Sequence, residues 1–172
     1  MTISDILGAD RVVSGVTFTS KKKALEELSN LLTLGQPSLS ASDVLGSLTA
    51  REKLGSTGLG RGVAIPHGRL AGVNKAIGAF MRLKHPLDYD AHDATRVDLM
   101  FGLLVPQTAT EAHLKHLAAI AEMFSDEAFC ARLRSTEDSA PLHGLVTQYQ
   151  PCLLYTSPSP RDVEESRMPS SA

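Results

Sequence analysis

Histidine is the side chain whose ordinary pKa lies closest to neutral pH, and this sequence contains six of them. One of them, His67, lies in the segment GLGRGVAIPHG. Pro66 fixes φ and removes a backbone donor, so a short strand predicted over 63–65 should stop there and His67 should emerge at its end. Ligands bind at strand ends in α/β sheets, and Gly68 is expected to leave the imidazole open to a large partner. His67 is therefore the first candidate nucleophile.

A glycine-rich stretch over 55–62 precedes His67 and predicts an anion-binding loop. Glycines allow backbone N–H groups to converge on a phosphate. The candidate phosphate-binding residues are Ser56, Thr57, Gly58, Gly60 and Gly62. The alternative is a plain flexible turn. The P-loop and dinucleotide-binding glycine patterns are both absent, so nucleotide binding is not predicted.

Two further histidines, His113 and His116, lie in the first turns of a helix predicted over 108–124, which a Thr-x-x-Glu capping box opens. At about 100° per residue, His113 lies roughly 60° from the centre of the apolar face and His116 roughly 120°. His113 is thus expected to border the packed face, whereas His116 points more to solvent. A zinc site with His67 is the alternative. The pair lacks a cysteine or acidic third ligand in a recognisable motif, so no metal is predicted.

Arg51 lies at the end of a predicted helix, directly before the glycine-rich stretch. An arginine there can interact with the negative end of the helix dipole or simply be solvated. It can also place a planar, permanently charged guanidinium on a phosphoryl group. The sequence alone leaves both roles open.

Strand and helix patterns alternate along the chain and predict the elements that position these side chains. Helices are predicted over 20–32, 40–53, 108–124, 126–134 and 138–149, and strands over 12–18, 63–65, 76–83 and 97–105. The last strand is almost entirely apolar, as expected for a central strand covered on both faces. This alternation predicts a single α/β domain with a mixed sheet.

Composition excludes several classes of protein. The 172 residues are 42% hydrophobic and 21% charged, with a formal net charge of −2, which does not favour binding to nucleic acid or an anionic membrane. No apolar run approaches the ~20 residues that cross a bilayer, and the first residues do not resemble a secretory signal. Cys130 and Cys152 fit a reducing compartment better than a disulfide framework. A cytoplasmic protein without membrane insertion is expected.

Residues 151–172 differ from the rest of the chain. They are rich in proline and serine and show no helical or alternating period, so we expect a disordered tail. An interaction tail is one alternative, but the segment resembles translated cloning-vector sequence. The predicted domain is therefore 5–150, and the tail is assigned no function.

Two segments carry a family resemblance. The string REKLGSTGLGRGVAIPHGR at 51–69 resembles the active-site histidine motif of the mannitol/fructose-class enzyme IIA proteins of the bacterial phosphotransferase system (EIIA type 2). The string LLVPQTATEAHLKHLAAIAEMFSD at 103–126 resembles that family's second-histidine segment. The similarity spans about 5–150 and is strongest to the nitrogen-regulatory IIA branch.

The resemblance implies roles for three residues. His67 is the histidine that is phosphorylated, Arg51 is the phosphate-facing cation, and His113 lies beside the first histidine and contacts the phosphoryl group. The implied fold is a mixed β-sheet sandwiched by helices. The implied donor is a histidine-phosphorylated carrier protein, and no cofactor is needed because the phosphoryl group arrives already activated.

Two functions are compatible with this resemblance. One is a nitrogen-regulatory phosphocarrier whose phosphorylation state changes its binding to transporters or sensor kinases. The other is a fructose- or mannitol-specific IIA component that passes phosphate to a IIB domain. The sequence contains no IIB domain and no predicted transmembrane segment, which favours the regulatory interpretation.

Overall fold

A computed structural model describes residues 3–89, 96–108 and 111–149, with 111–114 described by their backbone only. Six α-helices and six strands lie in these ranges. The helices are α1 (Ile3–Ile6), α2 (Lys21–Leu32), α3 (Ala41–Lys53), α4 (Glu111–Phe124), α5 (Glu127–Arg134) and α6 (Ser139–Thr147). The strands are β1 (Val12–Val16), β2 (Gly58–Gly60), β3 (Val63–Ala64), β4 (His67–Leu70), β5 (Ile77–Leu87) and β6 (Val97–Pro106).

The strands form one mixed sheet in the order β1-β5-β6-β3-β2, with β4 also paired to β6. The long pair β5 and β6 is antiparallel, whereas β1 is parallel to β5, and both β3 and β4 are parallel to β6. The prediction of a single α/β domain with a mixed sheet is confirmed.

Helices cover both faces of this sheet. Along β6, Leu99 and Phe101 belong to one buried cluster with side chains of α4, α5 and α6, while Met100 and Leu104 belong to a second cluster with α2 and α3. This alternation explains why the strand is apolar at nearly every position. The central-strand prediction and the sandwich of helices around the sheet are both confirmed.

Side-chain caps begin α2 and α3. Ser20 Oγ accepts a hydrogen bond from the backbone N–H of Lys23 at 3.2 Å, and Ser40 Oγ accepts from that of Asp43 at 3.0 Å. Each serine satisfies a donor that the first turn of a helix leaves without a partner. Both serines lie at the predicted starts of these helices, whereas the Glu111 side chain of the capping box before α4 lies outside the described residues.

The observed elements differ from the predicted ones in several places, and neither α1 nor β4 was predicted. The glycine-rich stretch contains strand β2, which pairs antiparallel with β3, and β5 extends to Leu87. None of the helices in the described part of the chain is both long and apolar enough to span a bilayer. The proposed tail, residues 151–172, lies outside the described residues.

Candidate functional site

His67 is the first residue of β4 and does not project from the end of a strand as predicted. The strand preceding it ends at Ala64, and parallel pairing to β6 resumes at His67, opposite Leu103. The carbonyl of Pro66 accepts a hydrogen bond from Leu103 N at 3.0 Å, which joins the two short strands along the same neighbour. Proline thus interrupts the strand, as expected, but the sheet continues beyond it.

Two hydrogen bonds fix the imidazole of His67. Its Nδ1 lies 2.9 Å from the carbonyl oxygen of Ile65, and its Nε2 lies 3.2 Å from Nε of Arg51. A guanidinium can only donate and a carbonyl can only accept. The neutral ring therefore carries its proton on Nδ1 and presents the lone pair of Nε2.

Arg51 reaches His67 because α3 packs closely against β4. A Cβ atom at Gly68 would fall on the hydroxyl of Ser47, one helical turn before Arg51. Gly68 is buried and lines a cavity with His67, and its lack of a side chain allows this close approach of α3. Arg51 also donates through Nη1 to the carbonyl of Gly55 at 2.9 Å, which fixes the plane of its guanidinium.

The surroundings of His67 favour its neutral form. Burial is the main cause that lowers the pKa of His67 below its ordinary value of 6.5, and the Arg51 guanidinium lowers it further. The hydrogen bond to the Ile65 carbonyl and the charge of Glu52 act in the opposite direction. A neutral imidazole with an unprotonated Nε2 is the nucleophilic form of histidine.

His67 opens onto two adjoining cavities. One of about 360 Å³ is bounded on α3 by Arg51 and Leu54. The second, of about 210 Å³, is bounded by the 56–59 segment. Leu54 is 84% exposed and Leu59 is 47% exposed, which is unusual for large apolar side chains. The half-buried histidine is thus surrounded by a partly apolar surface that a protein partner can cover.

The structure brings only part of the predicted phosphate-binding loop to His67. Ser56, Thr57 and Gly58 line the same cavity as His67, and Ser56 Oγ accepts from the backbone N–H of Gly58 at 3.1 Å. Thr57, however, is buried, and its hydroxyl and N–H both bind the carboxylate of Glu52. The hydroxyl of Thr57 is therefore engaged by Glu52.

Gly60 and Gly62 serve the turn between β2 and β3. They have φ values of 91° and 87°, in the left-handed region that glycine adopts without strain. A Cβ atom at Gly62 would also meet the Arg134 guanidinium at 2.6 Å. Neither glycine lines the two cavities described for His67.

Of the two histidines of α4, the structure describes the side chain of His116. The backbone of His113 lies in α4, but its side chain lies outside the described residues. His116 is half-buried. Its exposure relative to that of His113 therefore stays a prediction. The helix packs on the core through Ile120, Met123 and Phe124, and Ala118 is exposed.

Sequence reasoning gave no role to Glu52, although this residue is part of the quoted motif. Its carboxylate is buried between Thr57, Tyr89 and Lys21. Tyr89 is 37 residues away along the chain, so no local pattern could show the contact. The only local signal was an acidic residue next to Arg51 on the same helix.

Comparisons with known proteins agree on one family. A family model described as "Phosphoenolpyruvate-dependent sugar phosphotransferase system, EIIA 2" matches residues 5–149. A nitrogen regulatory protein of Pseudomonas aeruginosa is 43% identical over 148 residues, which cover 86% of this chain and 96% of that protein. The crystal structure of the nitrogen regulatory protein IIA-Ntr from Neisseria meningitidis superposes with a TM-score of 0.80 at 45% identity, covering 84% of this chain and 99% of that one.

A more distant solved structure shares the fold. It is the complex of enzyme IIAMTL and phosphorylated enzyme IIBMTL from Escherichia coli, with a TM-score of 0.68 at 20% identity. The match covers 82% of this chain and 98% of that chain.

Proposed function

This chain belongs to the EIIA 2 family of the phosphoenolpyruvate-dependent sugar phosphotransferase system, and we propose that it is a phosphocarrier with a nitrogen-regulatory role. It accepts a phosphoryl group on Nε2 of His67 from a histidine-phosphorylated carrier protein. One observation carries the proposal: a ring nitrogen without a proton faces a guanidinium at an opening in the surface.

The proposed step exchanges one P–N bond for another. The Nε–H of Arg51 moves from His67 Nε2 to the oxygens of the incoming phosphoryl group, which frees the lone pair of Nε2. This lone pair attacks the phosphorus of the donor's phosphohistidine, a P–N bond forms on His67, and the donor imidazole leaves with the electron pair of the broken bond. Nε2 has no proton to lose, so the step needs no general base. The positive charge that the ring gains is shared with Nδ1–H, which donates to the Ile65 carbonyl. No metal or other cofactor takes part in this step.

Positive charge next to Nε2 supports transfer to this nitrogen. The transferred group spreads negative charge over its three equatorial oxygens, so positioned donors stabilise the transition state. Arg51 supplies one such donor, and the hydroxyl of Ser56 lines the same cavity. We assign His113 a third contact, because Leu117, four residues later on the same helix, lines both cavities with His67.

The regulatory role rests on the relatives rather than on the geometry. The proteins of Pseudomonas aeruginosa and Neisseria meningitidis that match at 43% and 45% identity are nitrogen regulatory proteins. We therefore propose transporters or sensor kinases as partners, with phosphorylation of His67 placing about −1.5 to −2 charges on the docking face. We also propose that the 5–150 domain works in the cytoplasm, where the buried thiol of Cys130 stays reduced.

Labelling with a phosphorylated carrier protein tests the site. Mass spectrometry under alkaline conditions should find one acid-labile phosphate, on His67. His67→Ala should abolish it, whereas His85→Ala, which removes an exposed histidine of β5, should keep it. Label that persists in His67→Ala would overturn the assignment. A chain without residues 151–172 should be labelled like the full chain.

A second measurement tests the regulatory role. Enzymatically phosphorylated and unphosphorylated protein should differ at least about tenfold in affinity for a captured transporter or sensor kinase, because a phosphate covered by the partner loses its water and the single charge of Arg51 offsets only part of its own. His67→Glu, with one charge and a different shape, should show part of the change. Equal affinities, together with transfer of the phosphate to a sugar IIB protein, would replace this role with sugar transport.

A further inference from the structure

Glu52 is a buried carboxylate behind His67 that the proposed transfer step does not use. Only 6% of its side chain is exposed. Its oxygens accept from the backbone N–H of Thr57 at 3.2 Å, from the Thr57 hydroxyl, and from the Tyr89 hydroxyl at 3.1 Å, and they pair with Lys21 Nζ at 2.9 Å. Four donors therefore surround the carboxylate that α3 carries. They come from α2, from the segment after β5 and from the segment before β2.

The other members of this cluster reinforce the arrangement. Lys21 Nζ also lies 4.3 Å from the centre of the Tyr89 ring, a cation–π contact. Burial and the charge of Glu52 raise the pKa of Tyr89 well above its ordinary value, so its hydroxyl keeps the proton it donates. A buried carboxylate is stable only when it is paired and hydrogen-bonded in this way.

Arg51 and Glu52 hold the same turn from both sides. They are consecutive residues in the last turn of α3; Arg51 binds the Gly55 carbonyl, and Glu52 binds Thr57. Ser56 lies between these two anchors, and its hydroxyl oxygen is held by the N–H of Gly58. The turn that carries Ser56 is thus fixed beside the imidazole that Arg51 contacts.

We propose that Glu52 is a positioning residue for phosphoryl transfer, which holds the 56–58 segment at the rim of the His67 cavity through its two bonds to Thr57. This inference rests on the proposed function. A displacement of about 1 Å in a group that contacts the transferring phosphoryl group lowers the transfer rate strongly, while docking of the donor on Leu54 and Leu59 is unaffected. Loss of Glu52 should therefore lower kcat and leave KM for the donor protein nearly unchanged.

Four variants test this inference in the full-length chain. Glu52→Gln should lower kcat for phosphorylation about tenfold, with KM for the carrier protein within about twofold of wild type. Thr57→Val, which removes one of the two bonds, should lower kcat less, and Thr57→Ser should recover most of that loss. The double variant Glu52→Gln/Thr57→Val should be no slower than Glu52→Gln, because both changes break one chain of contacts.

Asp98→Asn is the matched control. It breaks the ion pair of Asp98 with Arg134. The side chain of Asp98 is 20% exposed, and Asp98 lies outside both cavities. With rates normalised to the folded fraction, Asp98→Asn should transfer phosphate at the wild-type rate.

Three outcomes would overturn the inference. The first is a wild-type kcat in Glu52→Gln. The second is a loss of kcat in Asp98→Asn that equals the loss in Glu52→Gln. The third is the same kcat in Thr57→Val and Thr57→Ser. The last comparison still decides the matter if Glu52→Gln does not fold. Each outcome leaves the proposed function intact as long as wild type is labelled on His67, whereas an unlabelled wild type would remove the proposed function itself.

Discussion

Arg51 and Arg134 both lie in the last turn of a helix, but their surroundings differ in charge. Nε of Arg134 donates to both carboxylate oxygens of Asp98, at 3.0 and 2.9 Å, and its Nη2 donates to the Arg61 carbonyl at 2.7 Å. Its own carbonyl accepts from Arg82 at 2.7 and 3.0 Å. Arg134 therefore joins α5 to the sheet, and the carboxylate of Asp98 neutralises its charge.

Arg51 has no carboxylate partner among the side chains that the structure describes. Its donors are used on a backbone carbonyl and on the unprotonated nitrogen of His67. Glu52, next to it in the chain, is paired with Lys21. The positive charge of Arg51 is thus available to an incoming anion. Arg134, whose charge is paired, has a structural role, whereas Arg51 has a chemical one.

The largest expected difference between them is in transfer rate. Arg51→Lys keeps the charge but loses the planar pair of donors, so it should slow phosphorylation of His67 about 100-fold. Its free energy of unfolding should change by about 1 kcal/mol, because lysine keeps the charge at the helix end and can replace one of the two hydrogen bonds that Arg51 donates. Stopped-flow or quench-flow transfer assays and urea unfolding measure both quantities. Wild-type transfer by this variant would make Arg51 equivalent to Arg134.

The reverse result is expected for Arg134→Lys. It should lower the free energy of unfolding by about 1–2 kcal/mol, because the two-oxygen contact with Asp98 is lost. Transfer to His67 in the folded protein should stay at the wild-type rate. A slower transfer in this variant would show that the α5 arginine also acts on the site, and the comparison would fail.

Substitutions in α4 test whether Arg51 is the only side chain that stabilises the transferred phosphoryl group. His113→Asn should slow transfer about tenfold, because one of several stabilising contacts is lost. His116→Asn should leave the rate unchanged, since His116 does not line either cavity. Quench-flow measurement of both variants at saturating carrier protein decides between them. Equal losses would indicate that α4 contributes through packing.

The apolar surface near Arg51 predicts a smaller effect on donor binding. Leu54→Ser should raise KM for the carrier protein about three- to tenfold without changing kcat, because less apolar area is buried on docking. Leu34→Ser is the matched control, since Leu34 is 42% exposed and lies outside the described cavities of His67. A steady-state titration with the carrier measures both constants. A similar rise in the control would contradict a docking surface around His67.

The smallest effect is the pH dependence of stability. The folded chain lowers the pKa of His67, so at a pH near and below 6.5 the unfolded chain binds more protons at this residue than the folded one. The contribution of His67 to the free energy of unfolding is therefore present above pH 6.5. It is lost as the pH falls through the lower pKa of His67 in the folded chain. Urea unfolding at pH 7.5 and pH 5 should therefore show a larger loss for wild type than for His67→Gln. An equal loss would mean that Arg51 and burial do not favour the neutral ring.

The elements of the fold could largely be predicted from the sequence because their signals are local. The run over 97–105 is apolar at almost every position, and a strand covered by helices on both faces needs that pattern. Ser20 and Ser40 are caps whose partners lie three residues away. Such short-range contacts leave a direct trace in the order of residues.

The site could be predicted only in part because its contacts are distant in sequence. His67 was a candidate nucleophile from its local sequence, whereas the role of Arg51 came from a resemblance. The approach of Arg51 to His67 depends on Gly68, which lets α3 pack closely. Glu52 could not be found, since its partners come from three other segments. Gly60 and Gly62 were interpreted as phosphate ligands, but they form a left-handed turn beside Arg134. A glycine-rich sequence is compatible with both roles, so composition cannot distinguish them.

The break in the strand between Ala64 and His67 has a consequence for evolution and for engineering. The acceptor that holds Nδ1 of the imidazole is the carbonyl of Ile65, a main-chain group. No side-chain replacement at a neighbouring position can delete it, whereas a carboxylate in the same place could be lost in a single mutation. The ring is also ordered before any donor arrives, so its rotational freedom is not lost during docking. The orientation of the nucleophile is therefore set by the backbone. Substitutions of the surrounding side chains can change which partners bind, while the reacting nitrogen keeps its direction.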